Sequence, residues 1–84
     1  MKTTHYALTL LQSNGKHFPL TLDHPTERRA LEGKQWMEIG QGARDTYVVM
    51  PLRELKEIME AGNLTLSAYT KEAQAEKIAF ITAA

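Results

Sequence analysis

The sequence contains no cysteine and carries no net charge, and both absences limit what the protein can be. Without cysteine, the chain has no disulfide framework, no zinc site with sulfur ligands and no thiol nucleophile. Because ten basic residues balance ten acidic ones, no overall field attracts the protein to nucleic acid or to anionic lipid. No apolar run approaches the ~18 residues that a membrane span needs. We therefore expect a soluble, cytoplasmic protein that is held together by packing alone.

The length of 84 residues fits one small domain spanning residues 1–84. With 43% apolar residues, the composition is that of an ordinary folded domain. A domain of this size buries roughly 60–65% of the surface that its unfolded chain exposes. That burial supports one modest core and leaves no room for a deep, walled active site, so a binding role is favoured over catalysis.

The strongest local signal is Ser13-Asn14-Gly15-Lys16, which lies between two apolar runs. Asn-Gly is typical of a two-residue type I′ turn, in which both central residues adopt positive φ. Counting outward from such a turn places Leu11 opposite Phe18 and His5 opposite His24. The segment is therefore predicted to close a β-hairpin in that register.

The two strands of this hairpin differ in composition. The first carries apolar side chains at successive positions, so we expect it to be buried on both faces. The second, at about 17–22, contains Pro19, which cannot donate to a ladder and therefore favours a sheet edge. An edge of this kind is suited to pairing with a second copy across a two-fold axis.

Residues 26–50 carry weaker patterns. The segment Glu27–Glu32 favours a short helix that ends at Gly33, and an irregular turn is the alternative interpretation. Gln35–Ile39 and Thr46–Met50 favour strands because both contain aromatic and β-branched residues. With the loop 40–45 between them, these two strands are predicted to form a second hairpin.

Pro51–Ala61 is the clearest helix in the chain. Leu52, Leu55, Ile58 and Met59 form one apolar stripe at helical spacing, and charged residues occupy the other side. Proline suits the first turn of a helix, and the glycine that follows the segment suits its end. We expect this helix to pack its stripe on one face of the sheet.

The C-terminal third is ambiguous. Residues 64–69 favour a strand, residues 70–77 favour a loop or a single helical turn, and residues 78–82 favour a short final strand. The elements together predict an α+β fold. It consists of a mostly antiparallel sheet of five to six strands, two β-hairpins plus C-terminal strands, with one main helix at about 51–61 packed on one face.

Candidate catalytic and ligand-binding groups are sparse. His5 and His24 are opposed in the predicted register, but no third metal ligand can be placed beside them. Gly40-Gln41-Gly42 leads into a strand rather than into a helix N-terminus, so it lacks the context of a phosphate-binding loop. No serine lies in a nucleophile motif. We therefore expect no enzyme activity, no catalytic residue, no cofactor and no metal site.

An excess of apolar side chains on the predicted sheet carries the functional expectation. One helix cannot cover both faces of five or six strands, so either the sheet curls into a half-barrel or one face meets another protein or protein complex. We expect a small non-enzymatic protein-binding module, a regulator or inhibitor that docks on a larger machine as a monomer or a homodimer. Accessory proteins encoded by phages and mobile elements are of this type.

The alternative is a small domain that binds single-stranded nucleic acid or regulates transcription. Arg28-Arg29 and Lys34 precede Trp36, which in the predicted fold places positive charge near an aromatic ring on a sheet. Intervening glutamates and the absence of a recognised nucleic-acid motif weigh against it. Under either hypothesis, the residues that we expect to make contacts are Arg29, Trp36 and Arg44.

Overall fold

The computed structural model of the chain describes residues 5–41 and 45–84. The elements are β1 Tyr6–Leu11, β2 His17–His24, α1 Glu27–Gln41, β3 Thr46–Pro51, α2 Leu52–Glu60 and α3 Lys71–Thr82. The strands form one antiparallel sheet in the order β2-β1-β3. The fold is α+β, but the expected sheet of five to six strands with one main helix is wrong. The described residues form three strands and three helices.

The first correction concerns the segment after β2. The short helix predicted over Glu27–Glu32 continues to Gln41, so the strand predicted over Gln35–Ile39 belongs to α1. Ala30 is fully buried and Met37 is half-buried along the inner side of this helix. Contacts with the sheet therefore outweigh the modest β preference of the aromatic and β-branched residues at 36 and 39.

Gly33 does not end α1, which continues to Gln41. The glycine lies where the helix passes close to the sheet. A Cβ at this position would lie 3.5 Å from His24 Cε1 and 3.6 Å from Leu8 Cδ2, which is ordinary van der Waals contact. The close approach of α1 to the sheet therefore does not depend on a glycine at position 33, because an alanine side chain would also fit.

Gly33→Ala is expected to raise the free energy of unfolding by about 0.5–1 kcal/mol, because alanine is the better helix former and fits the space. Gly15→Ala is the matched control, since Gly15 has a φ of +83° and no neighbour within 4 Å of an added Cβ. Gly15→Ala is expected to lower the free energy of unfolding by about 1–2 kcal/mol through backbone strain alone. Urea denaturation of both variants measures the contrast, and a destabilising Gly33→Ala would contradict the packing of α1.

The second correction concerns the C-terminal third. Residues 64–69 contain only an isolated bridge between Leu64 and His17, and residues 78–82 are helical rather than a strand. Thr70 begins α3 by accepting a hydrogen bond from the Ala73 N–H at 3.2 Å. The helix continues through its apolar end because that end turns Ile81 into the core, where it is fully buried.

The third correction concerns the register of the first hairpin. The Gln12 N–H donates to the Lys16 carbonyl at 2.9 Å, and Gly15 adopts a φ of +83°. The loop therefore has three residues, an arrangement that Asn-Gly also favours, rather than two. Leu11 consequently lies opposite His17 instead of Phe18. Two irregularities in β2 then place His24 opposite Tyr6 instead of His5.

Helices cover both faces of the sheet. Gly33 of α1 lies against Leu8, whereas α2 and α3 pack on the face that carries Ala7. Adjacent strand residues point to opposite faces, so α1 lies on one side and the α2–α3 pair on the other. As predicted, β1 is buried on both faces. The core on the α2–α3 side consists of Ala7, Leu22, Met50, Leu52, Leu55 and Ile81.

The helix predicted at about 51–61 is confirmed as α2. Leu52 and Leu55 are buried, and Ile58 and Met59 pack half-buried against the same core. Pro51 immediately precedes the helix, and Gly62, with a φ of +79°, follows its C-cap. The strand predicted over Thr46–Met50 is likewise confirmed, as β3.

Candidate interaction surface on the outer side of α1

The inner side of α1 is formed by small or flexible residues. Ala30, Gly33 and Met37 recur at three- and four-residue spacing and face the sheet. Thr26 begins the helix by accepting a hydrogen bond from the Arg29 N–H at 3.2 Å. These contacts fix the rotation of α1 about its axis and so decide which side chains it directs to solvent.

The outer side of α1 carries large apolar side chains that nothing in the described part of the chain covers. Trp36 is 73% exposed, Ile39 is 69% exposed and Leu31 is 46% exposed. At 100° per residue these three positions fall within about 140° of one another, opposite the buried side. We call this surface the α1 patch: Leu31, Trp36 and Ile39.

Charged groups border the α1 patch at its N-terminal end. Arg28 and Glu32 form an ion pair at 3.5 Å on the helix surface, and Arg28 is almost fully exposed. A pair so exposed contributes little to stability. Arg29 precedes Trp36 by seven residues, which is two helical turns, so the two side chains lie on the same side of α1. The patch is therefore apolar, with the Arg29 guanidinium at one end.

The structure brings together two of the three residues predicted to make contacts. Arg29 and Trp36 share one exposed side of α1, but Trp36 lies on a helix and not on the predicted sheet. Arg44 lies outside the described residues. Sequence reasoning missed Leu31 and Ile39 as surface residues, although their spacing of eight residues places them on one side of a helix.

The expected excess of apolar side chains on the sheet is absent from the described strands. Tyr47 is buried beneath α1, and Val48 packs against the core under α2 and α3. The uncovered apolar surface lies instead on helix exteriors, in the α1 patch and on α3, where Ile78 and Phe80 are about 40% exposed. Three helices cover both faces of the sheet, whereas we expected a single helix to leave one face exposed.

An aromatic cluster packs against β2. The Tyr69 ring stacks on Phe18 with centroids 5.1 Å apart, and Lys77 Nζ lies 4.4 Å from the Tyr69 centroid. The Tyr69 hydroxyl donates to the Pro19 carbonyl. Burial raises the pKa of Tyr69 above its usual range. These contacts are internal, so the cluster serves to attach the segment before α3 to the sheet.

The three histidines are separated by the observed register. His17 Nδ1 shares a hydrogen bond of 2.8 Å with Thr9 Oγ1, and burial lowers the pKa of this histidine. His24 bonds to Thr21, whereas His5 packs edge-on against Phe80 with centroids 5.8 Å apart. Across residues 5–41 and 45–84, no three histidine or carboxylate side chains lie close enough to hold a metal ion.

The remaining candidate groups lie near the hairpin end of the sheet. An open depression there is lined by Leu10, Leu11, Gln12, Ser13, Asp45 and Thr46. Burial raises the pKa of the neighbouring Tyr47, and the carboxylates of Asp45 and Glu38 raise it further. Gly40 and Gln41 belong to α1, so the segment predicted as a glycine loop is helical as far as Gln41, and Gly42 lies outside the described residues.

No helix in the described ranges combines the length and the apolar character that a membrane span requires. Comparison of the chain with protein-family models, with curated proteins and with solved structures found no match in any of the three.

Proposed function

We propose that this chain is a small non-enzymatic protein-binding module of the cytoplasm, which docks on a larger protein or complex through the α1 patch. The observation that supports this proposal is the 73% exposure of Trp36 on a helix whose opposite side already binds the sheet. Tryptophan is among the residues most enriched at the energetic centres of protein interfaces. A regulator or inhibitor of a larger machine fits this arrangement.

The α1 patch provides enough apolar surface for a binding hot spot. Aromatic side chains bury about 150–250 Å² each, and covered apolar surface contributes roughly 25 cal/mol per Å². Covering the exposed part of Trp36 is therefore worth about 3–4 kcal/mol before the costs of association. Ile39 and Leu31 extend the same surface along the helix. The patch suits recognition of a helix by an apolar groove.

Charge at one end of the patch defines the partner further. Arg28 and Arg29 lie within the first turn of α1, where Glu32 pairs with Arg28 and Glu27 lies about 160° around the helix from Arg29. Among the described residues no carboxylate forms an ion pair with Arg29, so its charge remains available on the side of Trp36. A matching groove has an apolar floor for Trp36 and carboxylates where it meets the arginines. The partner is thus a protein with an apolar groove that has an acidic rim at one end.

Trp36→Asp is expected to abolish capture of this partner while leaving the fold intact, because the side chain is mostly exposed. The measurement is affinity capture from the cell that encodes the protein, followed by titration of the purified captured protein. The variant is expected to weaken binding by more than about tenfold. Lys71→Asp, an exposed position on α3 across the sheet, is the matched control and is expected to bind like wild type.

Equal capture by Trp36→Asp and wild type would contradict the role of the α1 patch. A gel shift with single-stranded oligonucleotides at low salt tests the alternative function, because Arg28 and Arg29 also flank an exposed aromatic ring. A shift that Trp36→Asp removes would assign the patch to nucleic acid instead of protein.

A further inference from the structure

The outer edge of β2 is covered by a short segment of the chain between α2 and α3. The His17 N–H donates to the Asn63 carbonyl at 2.8 Å, and the Thr65 N–H donates to the His17 carbonyl at 2.8 Å. A parallel bridge joins His17 to Leu64 between these two bonds. We call residues 63–65 the bridge segment. The backbone of one residue, His17, therefore holds the bridge segment on the sheet.

The side chain of His17 is bonded to the buried centre of the sheet. Its Nδ1 shares a hydrogen bond of 2.8 Å with Oγ1 of Thr9, which is fully buried. Thr9 lies on the central strand, between Pro19 of β2 and Val48 of β3, so water does not reach its hydroxyl. The same residue thus connects the interior of the sheet, through its ring, with the bridge segment, through its backbone.

This hydrogen bond suits the neutral form of the imidazole. A neutral ring with its proton on Nε2 accepts the Thr9 hydroxyl proton at Nδ1. In the imidazolium both ring nitrogens donate, so Thr9 Oγ1 has to accept, and its own proton then needs another acceptor where no water is available. Burial acts in the same direction, because it lowers the pKa of His17 below its ordinary value of 6.5.

The charges on the surrounding elements do not offset this preference. β1 and residues 61–70 contain no acidic or basic side chain, and their titratable groups are Tyr6 and Tyr69. Lys16 precedes His17 in the hairpin loop, and Lys77 of α3 lies over the Tyr69 ring. Burial is nevertheless the one resolved cause of the lowered pKa. The charged residues of the helices on this face are Arg53, Glu54, Lys56, Glu57 and Glu60 of α2 and Lys71, Glu72, Glu76 and Lys77 of α3.

The bridge segment is held less firmly than the residues on either side of it. Thr65 Oγ1 is buried without a hydrogen-bond partner among the described residues, so docking of the segment costs the hydration of this hydroxyl. Tyr69 is fixed to β2 by a hydroxyl hydrogen bond and by ring stacking, and the Asn63 N–H donates to the Ile58 carbonyl of α2. Loss of the His17 contacts would therefore free the segment while both of its ends stay attached.

We propose that His17 is a pH-sensitive switch, which holds the bridge segment on the edge of β2 while its ring is neutral and releases the segment when its ring is protonated. Release uncovers Leu64, which packs half-buried against the core, and frees the outward backbone groups of His17. These groups belong to the α2–α3 side and the β2 edge, whereas the α1 patch lies on the other face of the sheet. The switch is therefore separate from the proposed docking surface.

The direction of the pH dependence follows from the burial of the ring. Burial lowers the pKa of His17 only while the segment is docked, so the released form binds a proton more tightly. The attachment is accordingly complete above about pH 6.5, the ordinary value for histidine, and weakens as the pH falls below it.

Amide exchange of the full chain at about pH 7.5 and about pH 5.5 tests the switch. After correction for the slower intrinsic exchange in acid, we expect the protection of the His17 and Thr65 N–H groups to fall by up to about tenfold, because each pH unit below the pKa of a free histidine favours its protonated form about tenfold. The Gln12 N–H, which donates to the Lys16 carbonyl beside the switch, is expected to stay protected. Equal loss at all three amides would mean that the whole hairpin opens, which contradicts a local release.

Two glutamine variants separate His17 from the other histidines. His17→Gln is expected to keep the bridge segment protected at both pH values, because its side chain cannot become charged and its amide can still bond to Thr9. His24→Gln is the matched control. His24 bonds to Thr21 at the other end of β2, so this variant is expected to respond to pH like wild type.

Titration of the histidine rings by NMR gives a readout in the wild-type protein that does not depend on the folding of a variant. The midpoint for His17 is expected to lie below that of the unfolded chain, and the loss of protection in the bridge segment is expected to follow the same titration. Unchanged protection in acid, a His17 midpoint at or above that of the unfolded chain, a pH response retained by folded His17→Gln or one lost from folded His24→Gln would each overturn the proposal.

Discussion

Leu55→Ala is expected to lower the free energy of unfolding by about 2–5 kcal/mol, and Leu55→Asp is expected to unfold the domain. Leu55 is fully buried in the cluster that connects α2 with Ala7 of β1 and Ile81 of α3. A chain of 84 residues has a total stability of roughly 4–13 kcal/mol. Urea denaturation followed by circular dichroism measures how much of that stability the leucine side chain supports.

Leu31→Ala is the matched control for Leu55→Ala, because it removes the same atoms from a helix. Leu31 is 46% exposed on the outer side of α1, so its replacement is expected to change stability by only about 0.5 kcal/mol. If the two variants unfolded at the same urea concentration, the division of the helices into buried and outer sides would be wrong.

Ile81→Ala is expected to cost about 2–5 kcal/mol as well, even though the residue lies close to the C-terminus. Residues near chain ends are commonly frayed and tolerate truncation of their side chains. Ile81 is instead fully buried and belongs to the main core cluster. A large loss would show that α3 is an integral part of the fold, and thermal or urea denaturation measures it.

Ile78→Ala provides the control for Ile81→Ala on the same helix. Ile78 lies three residues earlier and is 42% exposed, so we expect a loss of about 0.5 kcal/mol. Equal losses of stability for Ile78→Ala and Ile81→Ala would contradict the docking of α3.

The elements that sequence reasoning identified are those with a single apolar side. In α2, Leu52, Leu55, Ile58 and Met59 lie on one side, and the charged residues lie on the other, so helical periodicity was visible. In α1, Ala30 and Met37 face the sheet while Trp36 and Ile39 face solvent. Apolar residues on two sides of a helix hide the helical periodicity. The β preference of single residues then favoured a strand over Gln35–Ile39, which the structure shows to be helical.

The same ambiguity affected α3. Ile81 is buried, whereas Ile78 and Phe80, which flank it by about 60° and 100° around the helix, are partly exposed. Local composition at residues 78–82 therefore resembled a strand, and only packing of the complete chain selects the helix. In the first hairpin, Asn14-Gly15 correctly indicated the turn, but the dipeptide suits both a two-residue and a three-residue loop. The sequence could not decide between registers that differ by one residue.

The candidate site was predicted in part. Arg29 and Trp36 were predicted to make contacts because positive charge precedes an aromatic ring in this segment, and the structure places both on the exposed side of α1. Their neighbours Leu31 and Ile39 were not among the predicted contact residues, since exposure cannot be read from residue type. The strand order β2-β1-β3 could not be found from the sequence either, because the segment that separates β1 from β3 was not recognised as one long helix.

The fluorescence of Trp36 tests the central claim most directly, because it is the sole tryptophan in the chain and its emission reports on this side chain alone. In dilute folded protein we predict the long-wavelength emission of a water-exposed indole, ready quenching by iodide, and a shift to shorter wavelength when the captured partner is added. Short-wavelength emission that iodide fails to quench in the dilute, isolated chain would place Trp36 in the interior and contradict the account.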